Sequence, residues 1–522
     1  MIITPELYRK KLQGCWMGKN IGGTLGAPFE WKRQINRVSF YTQELGGQPL
    51  PNDDLDLQLV WLAALEDKGL DLNARVLAEY WLLYITPHWM EYGNAKMNLR
   101  AGLVPPLSGS ENNPFRDSCG AFIRSEIWAC IAPGRPDIAV RYAYEDGIVD
   151  HGHGEGLYAE LFFAALESAA FAESDPATLI RIGLSYIPSE CAVAAAIRCV
   201  IELHGVGKSW MEMRDEILAR YRGHYMTYAG ISDEDAAKGF ADGPVGFDAP
   251  SNAAIVIIAW LCGNGDFGDS LCIAVNCGED TDCTAATLGS IFGIIGGIDA
   301  IPPKWTEPIG RSIRTMCLNL GELGGRVPLT IDELSDRVER MAKQVLLRHG
   351  ASAVVLEPPG AETSEPESSG ESRIDASEDV PEPGPGPGPL WAVRPGEVPA
   401  YARPQGPVYR FDFWEAIVDY PDGPCVRSGE PARIALTIVN RGKIAESVNL
   451  RWYMPNDAWQ ASPAQRGKLF VGGFGGQRRL EFALSAATIE EHAARFVVEL
   501  TQDGKPTVML VPVLLLNGDL RD

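Results

Sequence analysis

Residues 276–290, NCGEDTDCTAATLGS, set Glu279, Asp280 and Asp282 directly ahead of a run of small and apolar residues. Carboxylates entering an apolar segment are costly to bury unless a cation or hydrogen-bond donors neutralise them. Far upstream, PNDDLDLQLVWLAAL (51–65) repeats the arrangement with Asp53 and Asp54. Taken singly, either stretch is explained by capping, because acids at a helix start meet free N–H groups and the macrodipole, typically ~0.3–1 kcal/mol. The segment after Asp282 has almost no polar face, however, so its acidic start belongs in the interior or in a cleft. Two such starts in one domain point to a shared centre, where Asp53, Asp54, Asp280 and Asp282 would face hard divalent cations with oxygen ligands. Capping and metal binding both stay open on pattern alone.

Two further stretches carry residues of chemical interest. GCWMGKNIGGTLGAPFE (14–30) is glycine-rich and ends on the carboxylate Glu30. It is not a P-loop, because Gly14 and Gly18 have three residues between them and Asn20 follows Lys19. Its spacing is the small-xxx-small kind that lets helices approach closely. SCGAFIRSEIWACIAPG, with DGIVDHGHGEGLYAEL downstream, sets Gly120, Arg124, His151 and His153 beside apolar helices, as pocket linings often do. Individually, the arginine and the histidines are also explained as structural residues. The eleven cysteines lack C-x-x-C spacing and read as reduced core thiols, and His151-Gly-His153 alone is a weak zinc signal.

The elements that must position these residues change character along the chain. Residues 1–350 read as an all-α domain: 54–69, 156–172, 251–263 and 331–350 are runs of good helix formers, several apolar nearly all round. Asn52 and Asp53 start the first and Gly69 ends it; Ser251 starts the third and Gly350 ends the last. Residues 357–400 form an acidic Pro/Gly-rich segment that cannot bury enough apolar surface to fold, so an extended linker is expected. From 405 to 522, short β-branched and aromatic runs separated by turn residues predict a small antiparallel β-sandwich, an accessory domain without catalytic grouping.

A net charge of −23 over 522 residues argues against nucleic acid or an anionic membrane as partner. The N-terminus has no signal-peptide pattern and no apolar run is long enough to span a bilayer, so a cytoplasmic protein is expected.

In order along the chain, GCWMGKNIGGTLGAPFE, NDDLDLQLVWL, GAFIR with APG, VDHGHGEG and GEDTDCTAATLGSIFG resemble the ADP-ribosylglycohydrolase family over about residues 10–345. The resemblance implies an all-α bundle with two Mg²⁺ ions (or Mn²⁺) in a central cleft. It also implies cleavage at the anomeric carbon of a ribosyl unit on a protein side chain, a polymer or a small molecule. Carried over, Asn52, Asp53, Asp54, Asp280, Asp282 and Cys283 match the metal-ligand positions. Glu30 and Asp54 match catalytic carboxylates, and Gly120, His151 and Gly278 fall at substrate-binding positions. The chain departs from the family pattern at Asn52, usually a threonine, at Cys283, usually threonine or serine, and at Gly23, commonly an aspartate. The expected function is metal-dependent hydrolysis of an N- or O-glycosidic bond, most directly of an ADP-ribosyl group. A different glycoside or nucleoside, or a non-catalytic ligand-binding role, are the alternatives. The expected partner is a small-molecule or protein-linked sugar, with the oligomeric state open.

Overall fold

The computed structural model describes residues 3–222, 246–350 and 406–520. The chain divides into two compact units, 1–93 with 113–401, and 94–112 with 402–522. The linker expected at 357–400 lies outside the described residues.

Among the described residues, the helices of six or more residues are α1 (Pro5–Gly26), α2 (Asp53–Lys68), α3 (Ala74–Tyr84), α4 (Met90–Ala101), α5 (Glu126–Ile131), α6 (Pro136–Gly147) and α7 (Glu155–Ala170). They continue with α8 (Pro176–Leu184), α9 (Ala192–Gly205), α10 (Trp210–Tyr221), α11 (Ala249–Cys262), α12 (Phe267–Asn276), α13 (Thr281–Gly296) and α14 (Ile331–Arg348). Helices α2, α7, α11 and α13 are buried along most of their length, as their continuous apolar composition requires. By contrast, α14 is amphipathic, with Ile331, Leu334, Val338 and Val345 inward. Its start is capped by Thr330, whose hydroxyl accepts from the Glu333 N–H at 3.2 Å.

One helix start falls earlier than expected. Asp248, not Ser251, is the N-cap of α11, its carboxylate accepting from the Ser251 N–H and hydroxyl. Pro250 then occupies the first turn, where its missing N–H costs nothing.

Helices α1 and α13 lie against each other along a seam of small residues. A Cβ added at Gly14, Gly18, Gly22 or Gly26 would stand 2.3, 2.0, 2.1 or 2.3 Å from the carbonyl oxygens of Gly293, Gly289, Ala285 and Thr281 respectively. One partner number climbs by four as the other falls by four, so the helices run antiparallel with backbone touching backbone. This is the close-packing role that the glycine spacing of residues 14–26 suggests. Thr281 Oγ1 closes the seam at its far end by donating to the Gly26 carbonyl at 2.8 Å. Among the described residues, no helix is long and apolar enough to cross a membrane.

The second unit is built on two five-stranded sheets. One has the order β1 (Val408–Phe411), β2 (Trp414–Asp419), β4 (Ala432–Asn440), β8 (Gly476–Ala486), β6 (Trp459–Ser462). The other runs β3 (Cys425–Val426), β10 (Val508–Asn517), β9 (Ala493–Thr501), β5 (Glu446–Tyr453), β7 (Arg466–Val471). All ladders are antiparallel except β3 with β10. Ile434, Leu436, Ile438, Trp452, Phe496 and Val511 lie in its buried core. Residues 94–112 group with these strands: Leu103 joins Leu514 and Leu516 in a small apolar cluster.

Candidate metal centre

The two acidic helix starts meet. At α2 the capping task falls to Asn52, whose Oδ1 accepts from the Asp54 N–H at 2.8 Å, leaving the carboxylates free of it. At α13, Asp280 occupies the N-cap position but makes no side-chain cap bond. Asn52 Nδ2 reaches across to Asp282 Oδ2 at 3.4 Å, and Cys283 Sγ lies 3.5 Å from Asp54 Oδ1. Oxygens of Asp54 and Asp282 with Cys283 Sγ, and oxygens of Glu30, Asp280 and Asp282, form two groups whose atoms lie within 4.8 Å of one another. Asp53 stands beside them, its Oδ2 accepting from the Tyr92 hydroxyl at 2.9 Å.

A short backbone clip brings Glu30 to the group. The Trp31 N–H donates to the Glu279 carbonyl at 2.9 Å, and the Glu279 N–H to the Lys32 carbonyl at 3.2 Å. Gly278 makes this possible: at φ +74°, a Cβ there would lie 2.2 Å from the Gln34 carbonyl oxygen. Trp31 (φ +62°), Met90 (φ +33°) and Glu279 (φ +67°) are all non-glycine residues in the left-handed region at or next to the site. Such strain is tolerated where the surroundings over-determine the backbone.

Of the three acids in 276–290, Glu279 has its own cations. Arg222 Nη1 lies 2.7 Å from Glu279 Oε1 and Arg33 Nε 3.5 Å from Oε2. The other two have none among the described residues. Among the described residues, Asp280 Oδ1, Asp282 Oδ1 and Asp54 Oδ2 are buried without a hydrogen-bond partner. Lys19 Nζ comes within 3.5 Å of Asp54 Oδ2 but is held 2.7 Å from Glu126 Oε1.

Burial, then the neighbouring charges of Asp282, Asp53 and Asp54, pushes the Glu30 carboxyl up to about 9. Burial also raises Asp282 to about 6, and lifts Asp54 and Asp280 well above the carboxylate range. Crowded anions short of positive charge produce this direction of shift, and a divalent cation reverses it. Hard oxygen donors with orphaned lone pairs fit Mg²⁺ or Mn²⁺; the Cys283 thiol does not.

Glu30, Asp53, Asp280, Asp282 and Cys283 of the cluster line one wall of a cavity of about 600 Å³, with Asp54 buried out of its lining. Glu91, Tyr92 and Gly120 line it too, with Trp31, Trp89 and Phe247 among its aromatic lining. Glu91 packs where a side chain at 120 would be: a Cβ on Gly120 would fall 2.0 Å from Glu91 Oε1. Its carboxyl is pushed up to about 7, mainly by burial.

Behind this wall, Arg124 is sealed among carboxylates. Its Nη2 lies 2.6 Å from Asp150 Oδ1 and its Nε 3.0 Å from Asp146 Oδ1, and its Nη1 donates to the Gly120 carbonyl. His151 sits between Asp150 Oδ1, 2.9 Å away, and Ser118 Oγ, 3.0 Å away. That is the order of a Ser-His-Asp relay. All three side chains are fully buried and none lines the cavity, so the arrangement holds residues 118–120 in place. His153 contacts the Tyr144 hydroxyl at 3.0 Å and likewise does not line it. Gly120 is on the wall; His151 and Gly278 act from behind it.

The family model described as ADP-ribosylglycohydrolase matches residues 4–344. The chain belongs to the ADP-ribosylglycohydrolase family. An uncharacterised protein of Archaeoglobus fulgidus is 27% identical over 318 residues, covering 57% of this chain and 91% of that one. ADP-ribosylarginine hydrolase Tri1 of Pseudomonas putida is 36% identical over 76 residues, only 14% of this chain and 20% of that protein. The solved structure of an ADP-ribosylglycohydrolase-related protein complex is 19% identical, with a TM-score of 0.43 over 65% of this chain and 99% of that one.

Within this ADP-ribosylglycohydrolase-family chain, Gly23 and Asn52 share one space. A Cβ at Gly23 would stand 2.4 Å from Asn52 Nδ2, so the Asn52 amide occupies the place a side chain at 23 would need. Sequence reasoning missed Glu91, Tyr92 and Cys119. Cys119 sits inside a quoted motif, but no spacing marks it. Glu91 and Tyr92 begin α4 with no acidic pair or glycine pattern to single them out.

Proposed function

We propose that this chain is a divalent-cation-dependent glycoside hydrolase acting at the anomeric carbon of an ADP-ribosyl group. One observation carries the reading: buried carboxylates from two helix starts converge with Glu30 beside one cavity, Asp53, Asp280 and Asp282 lining it, and Asp54, Asp280 and Asp282 each keep an orphaned oxygen. Family membership supplies the reaction class. Asn52, Asp53, Asp54, Asp280 and Asp282 are the residues to hold two Mg²⁺ or Mn²⁺ ions, which when bound supply Lewis acidity and an acidified water.

The chain's own residues supply the rest. Glu30 takes the proton of the water that attacks the anomeric carbon while the bond to the leaving group breaks through an oxocarbenium-like state, and it hands that proton on to the leaving group, so no proton is gained or lost overall. Tyr92 fixes the Asp53 carboxylate through its 2.9 Å hydrogen bond. Trp31 and Trp89, 42% and 44% exposed, offer flat apolar faces on which a planar group stacks. Arg124 and His151 position the Gly120 wall without touching substrate.

Release of the free sugar is measured with and without EDTA on ADP-ribosyl-arginine, ADP-ribosyl-serine, nucleosides and aryl glycosides. Chelator-sensitive cleavage of an ADP-ribosyl substrate is expected. Undiminished turnover in chelator removes the cations, and cleavage of nucleosides or aryl glycosides alone replaces ADP-ribose with another glycoside.

A further inference from the structure

Two thiols share the carboxylate cluster, and the chemistry above gives neither a task. Cys119 Sγ, Cys283 Sγ and an oxygen of Asp280 lie within 4.8 Å of one another. Cys119 Sγ is 2.8 Å from Asp280 Oδ2, while Asp280 Oδ1 is buried without a partner. The three residues are 2%, 7% and 4% exposed, so the group is built into the wall rather than gathered on a flexible surface. They come from two separate parts of the chain, residue 119 in the loop before α5 and residues 280 and 283 at the start of α13.

Ligand softness separates this group from the all-oxygen one beside it. Mg²⁺ demands hard oxygen donors and retains its waters, whereas thiolates select Zn²⁺ and its softer relatives. Two thiolates and one carboxylate, with a fourth position open, make a donor set that Zn²⁺ accepts in tetrahedral geometry. We propose that Cys119, Cys283 and Asp280 form a binding site for one thiophilic divalent cation of the Zn²⁺ class, overlapping the oxygen-ligand centre at Asp280. Each thiol releases its proton to solvent as its sulfur–metal bond forms. Because Asp280 also belongs to the group with Glu30 and Asp282, a thiophilic ion and the hard ions compete for it. Zn²⁺ is therefore an inhibitor of Mg²⁺-supported turnover. The inference rests on the proposed function only in this competition; the site itself stands on the donor set.

The test uses the full chain, stripped with chelator, kept reduced by a phosphine and titrated with Co²⁺. The expected result is a near-ultraviolet thiolate-to-cobalt charge-transfer band that saturates at one equivalent and vanishes when Zn²⁺ is added. The Cys119→Ser/Cys283→Ser double variant loses the band and binds Zn²⁺ at least about tenfold more weakly. Cys262→Ser, at the end of α11, keeps the band. X-ray absorption of the unaltered Zn²⁺-loaded chain, which needs no variant to fold, should find two sulfur scatterers at about 2.3 Å. Cobalt bound with only oxygen-type spectra, a band that survives the double variant, or zinc without sulfur neighbours overturns the site. Absence of the band with Mg²⁺ binding intact sinks this inference and spares the hydrolase. A band with no ADP-ribose release does the reverse.

Discussion

Replacing Gly18 by alanine tests whether the α1–α13 seam is what brings the two acidic helix starts together. In an unconstrained helix this substitution stabilises, by up to about 1 kcal/mol, because alanine is the better helix former. Here the new Cβ would stand 2.0 Å from the Gly289 carbonyl oxygen and 2.3 Å from its carbon. That is about 1.4 Å inside ordinary van der Waals contact, and the obstacle is backbone, which cannot rotate away. The helices must separate, and Gly14 and Gly22 lose their contacts on either side. Overpacking costs typically ~1–3 kcal/mol, and a clash of backbone with backbone belongs at the top of that range, so the net loss is ~2 kcal/mol or more. At ~2.1 cal/mol/K of unfolding entropy per residue, a helical unit of roughly 350 residues shifts by about 1.4 °C per kcal/mol, so melting followed by circular dichroism should fall by roughly 3 °C or more. Moving α13 also displaces Asp280 and Asp282, so Mn²⁺ affinity should drop in the same variant. Gly205→Ala is the control: it ends α9 with nothing within 4 Å of the added Cβ, and should melt at or slightly above the parent temperature. Equal melting temperatures for the two variants, with Mn²⁺ binding unchanged, would refute the seam as the positioning element.

Glu30→Gln should lower turnover of an ADP-ribosyl substrate by ~10²–10⁴-fold while Mn²⁺ titration still shows binding; retained turnover removes Glu30 from proton transfer. Asp150→Asn withdraws one partner of the sealed Arg124 and should cost ~3 kcal/mol, read by denaturant titration. The Asp150 carboxyl is held down to about 2, against an ordinary 3.8, by Arg124 and then His151, working against its burial. Its contribution to stability is therefore present above about pH 4 and lost as pH falls toward 2, on the order of 2 kcal/mol. That part of the acid limb should be absent from Asp150→Asn, and an identical acid limb would contradict it. Trp89→Ala should raise KM about tenfold with melting unchanged, since its ring lies 6.4 Å from Tyr92 at the cavity wall; an unaltered KM excludes stacking there.

The parts of the site legible in the sequence are those written in helix signals. Two acidic starts before apolar runs are visible because a helix start and its interior have opposite polarity, and the glycine spacing of residues 14–26 exposes the seam. What pattern could not decide was which side chain caps. Asn52 takes that task at α2, and Asp280 leaves it undone at α13, which frees the aspartates for other partners. Glu279 looks like its neighbours in sequence yet is paired with Arg33 and Arg222 from remote segments. Glu91 and Cys119 reach the cavity through tertiary packing alone, which leaves no local trace.

In the β unit, long strands such as β4, buried at nearly every position, and β9, which alternates, were readable. VYRFDFWEAIV, which reads as one run, is in fact β1 and β2 joined by a tight turn at Asp412, φ +51°. Strand β7 is an edge strand whose residues are mostly exposed, so it lacks the apolar alternation that marks a buried strand.

Anomalous diffraction from crystals soaked in Mn²⁺ tests the central claim most directly. Manganese peaks bounded by the carboxylates of Asp54, Asp280 and Asp282, with Asp53 and Glu30 alongside, are predicted. A cluster free of manganese while the ion binds elsewhere on the chain would contradict the account.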